Sequence, residues 1–534
     1  MRRESRKLPT RWILIGLALG AVATTLTAAA TAGHNRGFKT SAPPQLTAVK
    51  PGVQITPLIT VGEKLPSGYM FEAIPDGIAI DSRGYEDDRG AVSVYVNHET
   101  STVPFPRGFT DFTNAMVSKL SLNTRTGGVL SGTYVIPSEA NYQRFCSNFL
   151  ATRKHGFKRD LLLTNEEATD VVNRTGTAWP ATPANGSNPE QAGVVVAYDV
   201  KSGAYKTIYG MGRLNHENSV AIPGYGEPVV LTGDDTFSAP SSQLYLYNAR
   251  SSDALWADNG ALYAFKADDA ATNDYGDISG TEAVAGRFIP VPENVAKGDQ
   301  KGLENWSNTN NVFQFIRVED IASDRKDPNI VYFADTGDPK AKHDATKSTR
   351  LVRGSTADGP YPNGRIFKLV LDEDNPLLTA TLSILIDADA GGYGNVNVIH
   401  QPDNVETTRS KLLIQEDPGS HNYGQTTARI WSYDLSDGTL EVLAKVDQSQ
   451  DPAARLGTWE SSGIVDASKE FGKGAFLVDV QAGSLVVQSE KRGDLTYERE
   501  GGQLLLVRVP DSSHGDDEGD DDDGDDDEGE NEDG

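Results

Sequence analysis

The feature that most constrains this chain is a recurring unit built around a short apolar run that ends in a turn carrying Asp, Glu, Asn or Gly. Six such runs are present: Val92-Ser93-Val94-Tyr95-Val96, Leu161-Leu162-Leu163, Pro228-Val229-Val230-Leu231, Ile330-Val331-Tyr332-Phe333, Lys411-Leu412-Leu413-Ile414 and Ala475-Phe476-Leu477-Val478. Each follows a shorter segment with its own strand pattern, and most precede a third strand such as Leu244-Tyr245-Leu246-Tyr247, Arg365 to Leu369 or Arg429 to Tyr433. Aligned on these runs, the units begin near Ile74, Cys146, Asn215, Arg317, Gln401 and Thr458. A fixed unit of this kind marks a repeat architecture and outweighs any single-segment preference.

The unit from Gln401 to Gln448 shows the internal plan. Its last two strands flank Ser436-Asp437-Gly438-Thr439, and Asp-Gly between apolar runs is a strong hairpin signal. Val194 to Val200 with Tyr205 to Ile208, and Ser118 to Leu122 with Val129-Leu130, repeat that hairpin. Four strands per unit and six units predict an all-β, six-bladed β-propeller with long loop insertions. A β-sandwich also has many short strands, but it does not predict a recurring unit. Helices are expected only as short pieces within loops, between Glu282 and Gly298 and between Leu303 and Asn311.

The ends of the chain read differently. Arg2, Arg3, Arg6, Lys7 and Arg11 precede an apolar run from Trp12 to Ala30, and Ala30-Thr31-Ala32 stands before Gly33. These are the three parts of an export signal, with an uncleaved anchor as the competing reading. Residues 1–32 are thus expected to be a signal, 33–73 a segment leading into the fold, 74–510 the propeller, and 511–534 a disordered acidic tail. The protein is expected outside the cytoplasm, secreted or periplasmic, as a monomer with no stable membrane partner. The tail holds 15 of the carboxylates and no Lys or Arg, so the rest of the chain carries −12 of the net −27. An acidic body lacks the basic footprint that nucleic acid requires and favours cations.

Cys146 is the lone cysteine, so no intrachain disulfide can form; it is either an inert core residue or a metal ligand. Acids recur in register. The first strand of four consecutive units carries Glu217, Glu319 with Asp320, Asp403, and Glu460, and the end of the second strand carries Glu99, Glu166-Glu167, Asp234-Asp235, Asp338, Glu416-Asp417 and Asp479. In a propeller these positions face one axis. Like charges crowded there repel unless cations neutralise them, and carboxylate oxygens suit Ca2+. His98 and His216, each in Asn-His-Glu, are either ligands or satisfied packing residues. No Gly-x-Ser-x-Gly, His-Glu-x-x-His or Walker-type loop is present, so metal-assisted chemistry is the remaining enzymatic route. Arg317 is suited to grip a phosphate or to pair with a channel acid.

The order of these motifs resembles that of the PhoX-type alkaline phosphatases: Cys146 followed by Glu166-Glu167, then His216-Glu217, Gly233-Asp234-Asp235, Arg317 to Asp320, and Pro402-Asp403-Asn404. The resemblance runs from about Ile74 to Ala482. It departs after Cys146, where Ser147 to Gly156 replace a Gly-Gly-Thr-Pro-Trp-Gly-Thr-Trp stretch, and at Glu460 to Asp466. It implies hydrolysis of phosphate monoesters or related phosphate esters at a channel site holding Ca2+ and Fe3+. Cys146, Glu217 and Glu319 would bind iron, Arg317 would hold the small phosphate ester, and Asp403, Glu460 and some of Glu99, Glu166 and Asp235 would bind calcium. The alternatives are a non-catalytic secreted cation-binding propeller and another calcium-dependent propeller hydrolase, phytase-like or a lactonase. One expectation follows from composition alone: deleting Asp511 to Gly534, which contains no apolar residue able to pack, leaves thermal stability and any activity unchanged. A large loss of either in the truncated protein overturns it.

Overall fold

Alternating apolar residues in short segments bounded by Gly, Asn and Asp commit this chain to antiparallel sheets, since each strand buries its apolar positions and turns back within a few residues. The computed structural model describes residues 36–510 apart from 83–89, 100–104, 107–112, 175–188, 237–240, 345, 348–349, 420–424 and 493–494. The export signal and the acidic tail expected from the sequence lie outside the described residues. Among the described residues no helix is long and apolar enough to cross a membrane.

The chain is all-β with a propeller-like arrangement. One sheet comprises Pro75–Asp81, Ala91–His98, Thr113–Asn123 and Val129–Ile136, and a second Phe145–Ala151, Leu161–Glu166, Val195–Asp199 and Tyr205–Ile208. A nine-stranded sheet starts with His216–Ala221, Val229–Asp234, Leu244–Asn248 and Ala261–Ala267 in order. It crosses through Ala283–Pro290 to Ala380–Asp387, then runs through Arg365–Leu371 and Ile330–Asp335 to Val318–Ser323. A further sheet orders Pro402–Thr407, Lys411–Glu416, Arg429–Asp434 and Leu440–Val446, and the last orders Glu460–Asp466, Ala475–Arg492 and Leu495–Arg508. Among the described residues every pairing between these strands is antiparallel.

The segment before Ile74 does more than lead into the fold. Leu46–Ala48 pairs with Leu440–Val446, and Gln54–Thr60 pairs with Leu495–Arg508, so early residues supply outer strands to the last two sheets. The expected short helices are present as Glu293–Ala296 and Gln300–Thr309, and Ala283–Pro290 before them is a strand that joins two meanders. The alternating exposed and buried residues of that strand put one face on the core and one on solvent, while its two edges pair with Ala261–Ala267 and Ala380–Asp387.

The starting strands of the six sequence units contact one another in turn and close on themselves, from Pro75–Asp81 through Phe145–Ala151, His216–Ala221, Val318–Ser323 and Pro402–Thr407 to Glu460–Asp466 and back. Apolar clusters fill the wedges between neighbouring meanders. In one, Val220, Leu231 and Phe265 pack against Phe333, Phe367 and Leu382, and in another Leu58, Leu504 and Leu477 pack against Val92 and Leu120. Phe333 is fully buried, stacked on Phe367 at 5.3 Å and edge-on to Phe315 at 5.4 Å. Phe333→Ala is therefore expected to lower unfolding free energy by about 3–5 kcal/mol. Leu378→Ala, at a position 59% exposed, is expected to stay within about 0.5 kcal/mol. Chemical denaturation of both variants checks the contrast, and equal effects would show that the wedge is not where stability resides.

Candidate metal centre in the channel

One irregularity is repeated around the axis. In five of the starting strands the register jumps just where the acid or thiol stands: between Pro75 and Ile78, Phe145 and Asn148, His216 and Ser219, Val318 and Ile321, and Pro402 and Val405. Each is a β-bulge, with one extra residue on the inner strand. A bulge re-aims the side chain it contains, and here the second residue of each strand is Asp76, Cys146, Glu217, Glu319 or Asp403. Glu460 opens the sixth starting strand, whose register shift lies later, between Ser462 and Ile464.

A second residue joins from each neighbouring strand by a shared hydrogen bond. The backbone N–H groups of Glu99, Glu167, Asp235, Thr336 and Asp417 donate to the carbonyls of Ile74, Arg144, Asn215, Arg317 and Gln401 at 2.9–3.1 Å. Three of those acceptor residues, Ile74, Arg144 and Gln401, hold φ of 51°, 34° and 54°. A non-glycine residue there is strained, and such strain persists only where surrounding contacts enforce it.

The acids so placed form a continuous arc. Asp76, Glu99 and Cys146 bring ligand atoms within 4.8 Å of one another, as do Cys146, Glu167 and Glu217; Glu217, Glu319 and Asp403; and Asp403, Asp417 and Glu460. The first two groups are buried, whereas Asp403, Asp417 and Glu460 are half-buried and form the side open to solvent. Six residues expected to bind metal, Cys146, Glu217, Glu319, Asp403, Glu460 and Glu99, are thus brought together.

Glu166 and Asp235 are not part of that arc. Glu166 accepts the backbone N–H groups of Gln143, Gly193 and Val194 and two hydrogen bonds from Arg174 at 2.9–3.0 Å. It pins its own sheet, while Glu167, one residue on, takes the channel position. The same division holds at Glu416 and Asp417: Glu416 accepts from Arg429, Trp431 and the His400 backbone. Asp235 receives Arg317 through Nε at 2.6 Å and through a second nitrogen, so the guanidinium engages both of its carboxylate oxygens. Arg317 also stands 3.1 Å from Glu319 Oε1. His98 bonds to Ser118 Oγ and the Glu72 carbonyl, and His216 to Thr232 Oγ1 and the Gly212 carbonyl. Burial lowers these imidazoles to about 3 and about 4, so both are neutral packing residues. Asp338, also in register by sequence, pairs with Arg353 at 3.0 Å.

Asp76 was not anticipated, although Pro75-Asp76-Gly77 parallels Pro402-Asp403-Asn404. Nor was Arg144, which lies 3.8 Å from Glu99 and 3.9 Å from Glu167 and holds in its unit the place that Arg317 holds in its own.

Electrostatics decide what the arc can hold. Burial, and then repulsion from one another, pushes Glu217, Asp403 and Glu460 well above the usual carboxylate range. Burial likewise raises Glu167, against the pull of Arg144. Burial also opposes ionisation of Asp235, yet Arg317 holds it below its ordinary value. The Cys146 thiol is pushed up by burial and by Asp76 and Glu217, and its Sγ–H donates to Asp76 Oδ2 at 3.0 Å. Among the described residues Glu217, Asp403, Asp417 and Glu460 form no ion pair. Crowded carboxylates without an ion-pair partner fit a cation, and the donor set fits a hard one with a single soft ligand at Cys146.

Fold and site together define an all-β, propeller-like protein with an acid-lined channel. No family model matches the chain, and no curated protein matches it. Among solved structures it is similar to a point mutant of NanB sialidase from Streptococcus pneumoniae, with TM-score 0.40 and 8% identity over 88% of this chain and 71% of that one. It is also similar to the Dos1 propeller, with TM-score 0.33 and 8% identity over 84% and 95%. A third is the GH93 α-L-arabinofuranosidase of Fusarium graminearum bound to arabinobiose, with TM-score 0.37 and 8% identity over 87% and 98%.

The cation-free channel predicts an unusual pH dependence. Burial raises Glu99 from 4.5 to about 8, with Asp76 adding to the shift and Arg144 opposing it. Between those values the folded chain binds protons that the unfolded chain has released, so stability falls as pH rises. Chelated protein is therefore expected to lose melting temperature from about pH 5 to pH 8, and calcium is expected to flatten the profile by replacing those protons. A melting temperature constant or rising across that interval in chelated protein would refute this.

Proposed function

We propose that the protein is an exported, metal-dependent phosphoester hydrolase of the PhoX-like kind, with its chemistry at the channel acids. We also infer that its fold is a six-bladed propeller, the nine-stranded sheet being two blades bridged by Ala283–Pro290. The ring of starting strands and the apolar wedge inside the nine-stranded sheet support that count.

The observation that carries the functional reading is the repeated bulge, which sets four carboxylates and one thiol at equivalent places around one axis with an arginine among them. Glu217, Glu319, Asp403, Asp417 and Glu460 would hold calcium through oxygen, and Cys146 with Glu167 and Glu217 would hold iron. When bound, the cations supply Lewis acidity towards a phosphoryl oxygen and favour a hydroxide nucleophile. The chain's own groups do the rest. Asp235 fixes the plane of the Arg317 guanidinium beside Glu319, where its positive charge would attract the non-bridging oxygens of a phosphate monoester. Thr336 Oγ1 donates to Glu319 Oε1 at 2.6 Å, and Ser147 Oγ donates to Glu217 Oε1 at 2.8 Å, so both carboxylates keep their orientation. One observation favours a non-catalytic cation-binding propeller instead: Arg317 already has a bidentate partner in Asp235.

Hydrolysis of a chromogenic phosphate monoester separates the two. Chelation is expected to abolish turnover, and calcium with iron to restore it. Cys146→Ala is expected to lower iron content. Arg317→Lys keeps the charge beside Asp235 but loses the fork; it is expected to retain metal and reduce kcat by about 10²-fold, the scale of one lost transition-state contact. Full metal occupancy without hydrolysis would establish the cation-binding reading, and undiminished activity in Arg317→Lys would place the phosphate elsewhere.

A further inference from the structure

Asp479 is the buried acid that the channel arc does not use. It lies in Ala475–Arg492, is fully buried, and neither of its carboxylate oxygens has a hydrogen-bond partner. It forms no ion pair among the described residues. A carboxylate in that state is costly whether charged or neutral, because even a protonated carboxyl would leave its O–H without an acceptor.

Its neighbours are oxygen-bearing groups from two sheets. Asp479 stands opposite Ser462 in the ladder, so the two side chains share a face. Ser462 Oγ donates to Asp76 Oδ1 at 2.7 Å, which places that face against the first strand of the first sheet. The backbones also meet there: a side chain at Gly463 would come within 2.5 Å of the Asp76 carbonyl. Gln481, two residues beyond Asp479 and on the same face, donates to Asp76 Oδ2 at 3.1 Å and Glu99 Oε1 at 3.2 Å. The seam joins the first and last sheets, and the last sheet is closed by Gln54–Thr60 from the other end of the chain.

We propose that Asp479 is the principal ligand of a structural calcium ion at this seam, with Asp76, Ser462 Oγ and the Gln481 amide oxygen completing an oxygen set together with water. The ion is a clasp on ring closure and is separate from the chemistry of the channel mouth. Oxygen-only donors, two of them carboxylates from different sheets, match the preference of calcium for six to eight oxygens in flexible geometry. A cation also removes the repulsion that Asp76 exerts on Asp479.

The test uses the full chain, stripped with chelator and reloaded with calcium chloride alone. Bound calcium is counted by mass spectrometry, and melting temperature is followed against free calcium. Asp479→Asn is expected to bind one calcium fewer than the wild type and to lose part of the calcium-dependent rise in melting temperature. Glu217→Gln, on the starting strand His216–Ala221 across the ring from the seam, is expected to keep the Asp479-dependent equivalent, so that the double variant loses more calcium than either single one. Equal calcium in Asp479→Asn and wild type overturns the proposal and leaves Asp479 a buried neutral acid. Should Asp479→Asn not fold, calcium-soaked wild-type crystals decide: an anomalous peak bonded to Asp479 supports the clasp, and its absence overturns it. Neither readout depends on hydrolysis, so a protein without phosphatase activity would still give a clear answer.

Discussion

Repulsion among carboxylates buried around one axis is the constraint on which the rest of this structure depends. Each starting strand aims an ionisable group at the same space, and burial strengthens every like-charge interaction there. The protein meets part of that load with its own cations. Arg317 lies against Asp235 and Glu319, and Arg144 lies between Glu99 and Glu167. The remaining acids, Glu217, Asp403, Asp417 and Glu460, form no ion pair among the described residues. That imbalance is tolerable because the framework around it is apolar and continuous. The wedges between meanders bury residues such as Phe333, Tyr245 and Leu504 completely, and this apolar burial offsets the unfavourable centre.

The bulge couples the two regimes. An unbroken ladder would alternate side chains strictly across each starting strand, so a position facing the wedge would be followed by one facing the opposite wedge. One extra residue breaks that alternation at Asp76, Cys146, Glu217, Glu319 and Asp403 and turns the side chain along the axis. The recurrent hydrogen bond from the residue after the second strand then fixes a second side chain beside it. Positive φ at Ile74, Arg144 and Gln401 is the cost of that geometry.

How much of this was legible in the sequence depends on which physical signal each residue carries. The strands were legible, because alternation and turn residues act locally: the starting strands at Pro75, Phe145, His216, Val318, Pro402 and Glu460 fall within about two residues of the expected unit starts. The recurring acids were legible for the same reason. Long-range pairing was not. Nothing local shows that Gln54–Thr60 closes the last sheet, or that Ala283–Pro290 bridges two meanders. The partners of Glu166 were not legible, because adjacent acids at a strand end point to opposite sides and it is Glu167 that takes the arc position. Asp235 is a different case: its partner Arg317 is 82 residues away.

That last case carries a general consequence for reading the site. At the ends of the second strands, Glu166, Asp335 and Glu416 each accept backbone N–H groups, so their oxygens find partners in the fold itself. Glu167 and Asp417, one residue further on in two of the same units, take their places in the arc instead. A single step in register therefore separates an acid that stabilises its sheet from one whose charge must be neutralised from outside. The two kinds respond to opposite changes. Replacing Glu166 would strip a partner from Arg174 and three backbone N–H groups, which destabilises the fold. Replacing Glu167 or Glu217 removes repulsion, and in the absence of cations it relieves the centre. Acids whose removal stabilises the chelated protein while abolishing its cation binding are the ones kept for function, because stability alone would not retain them.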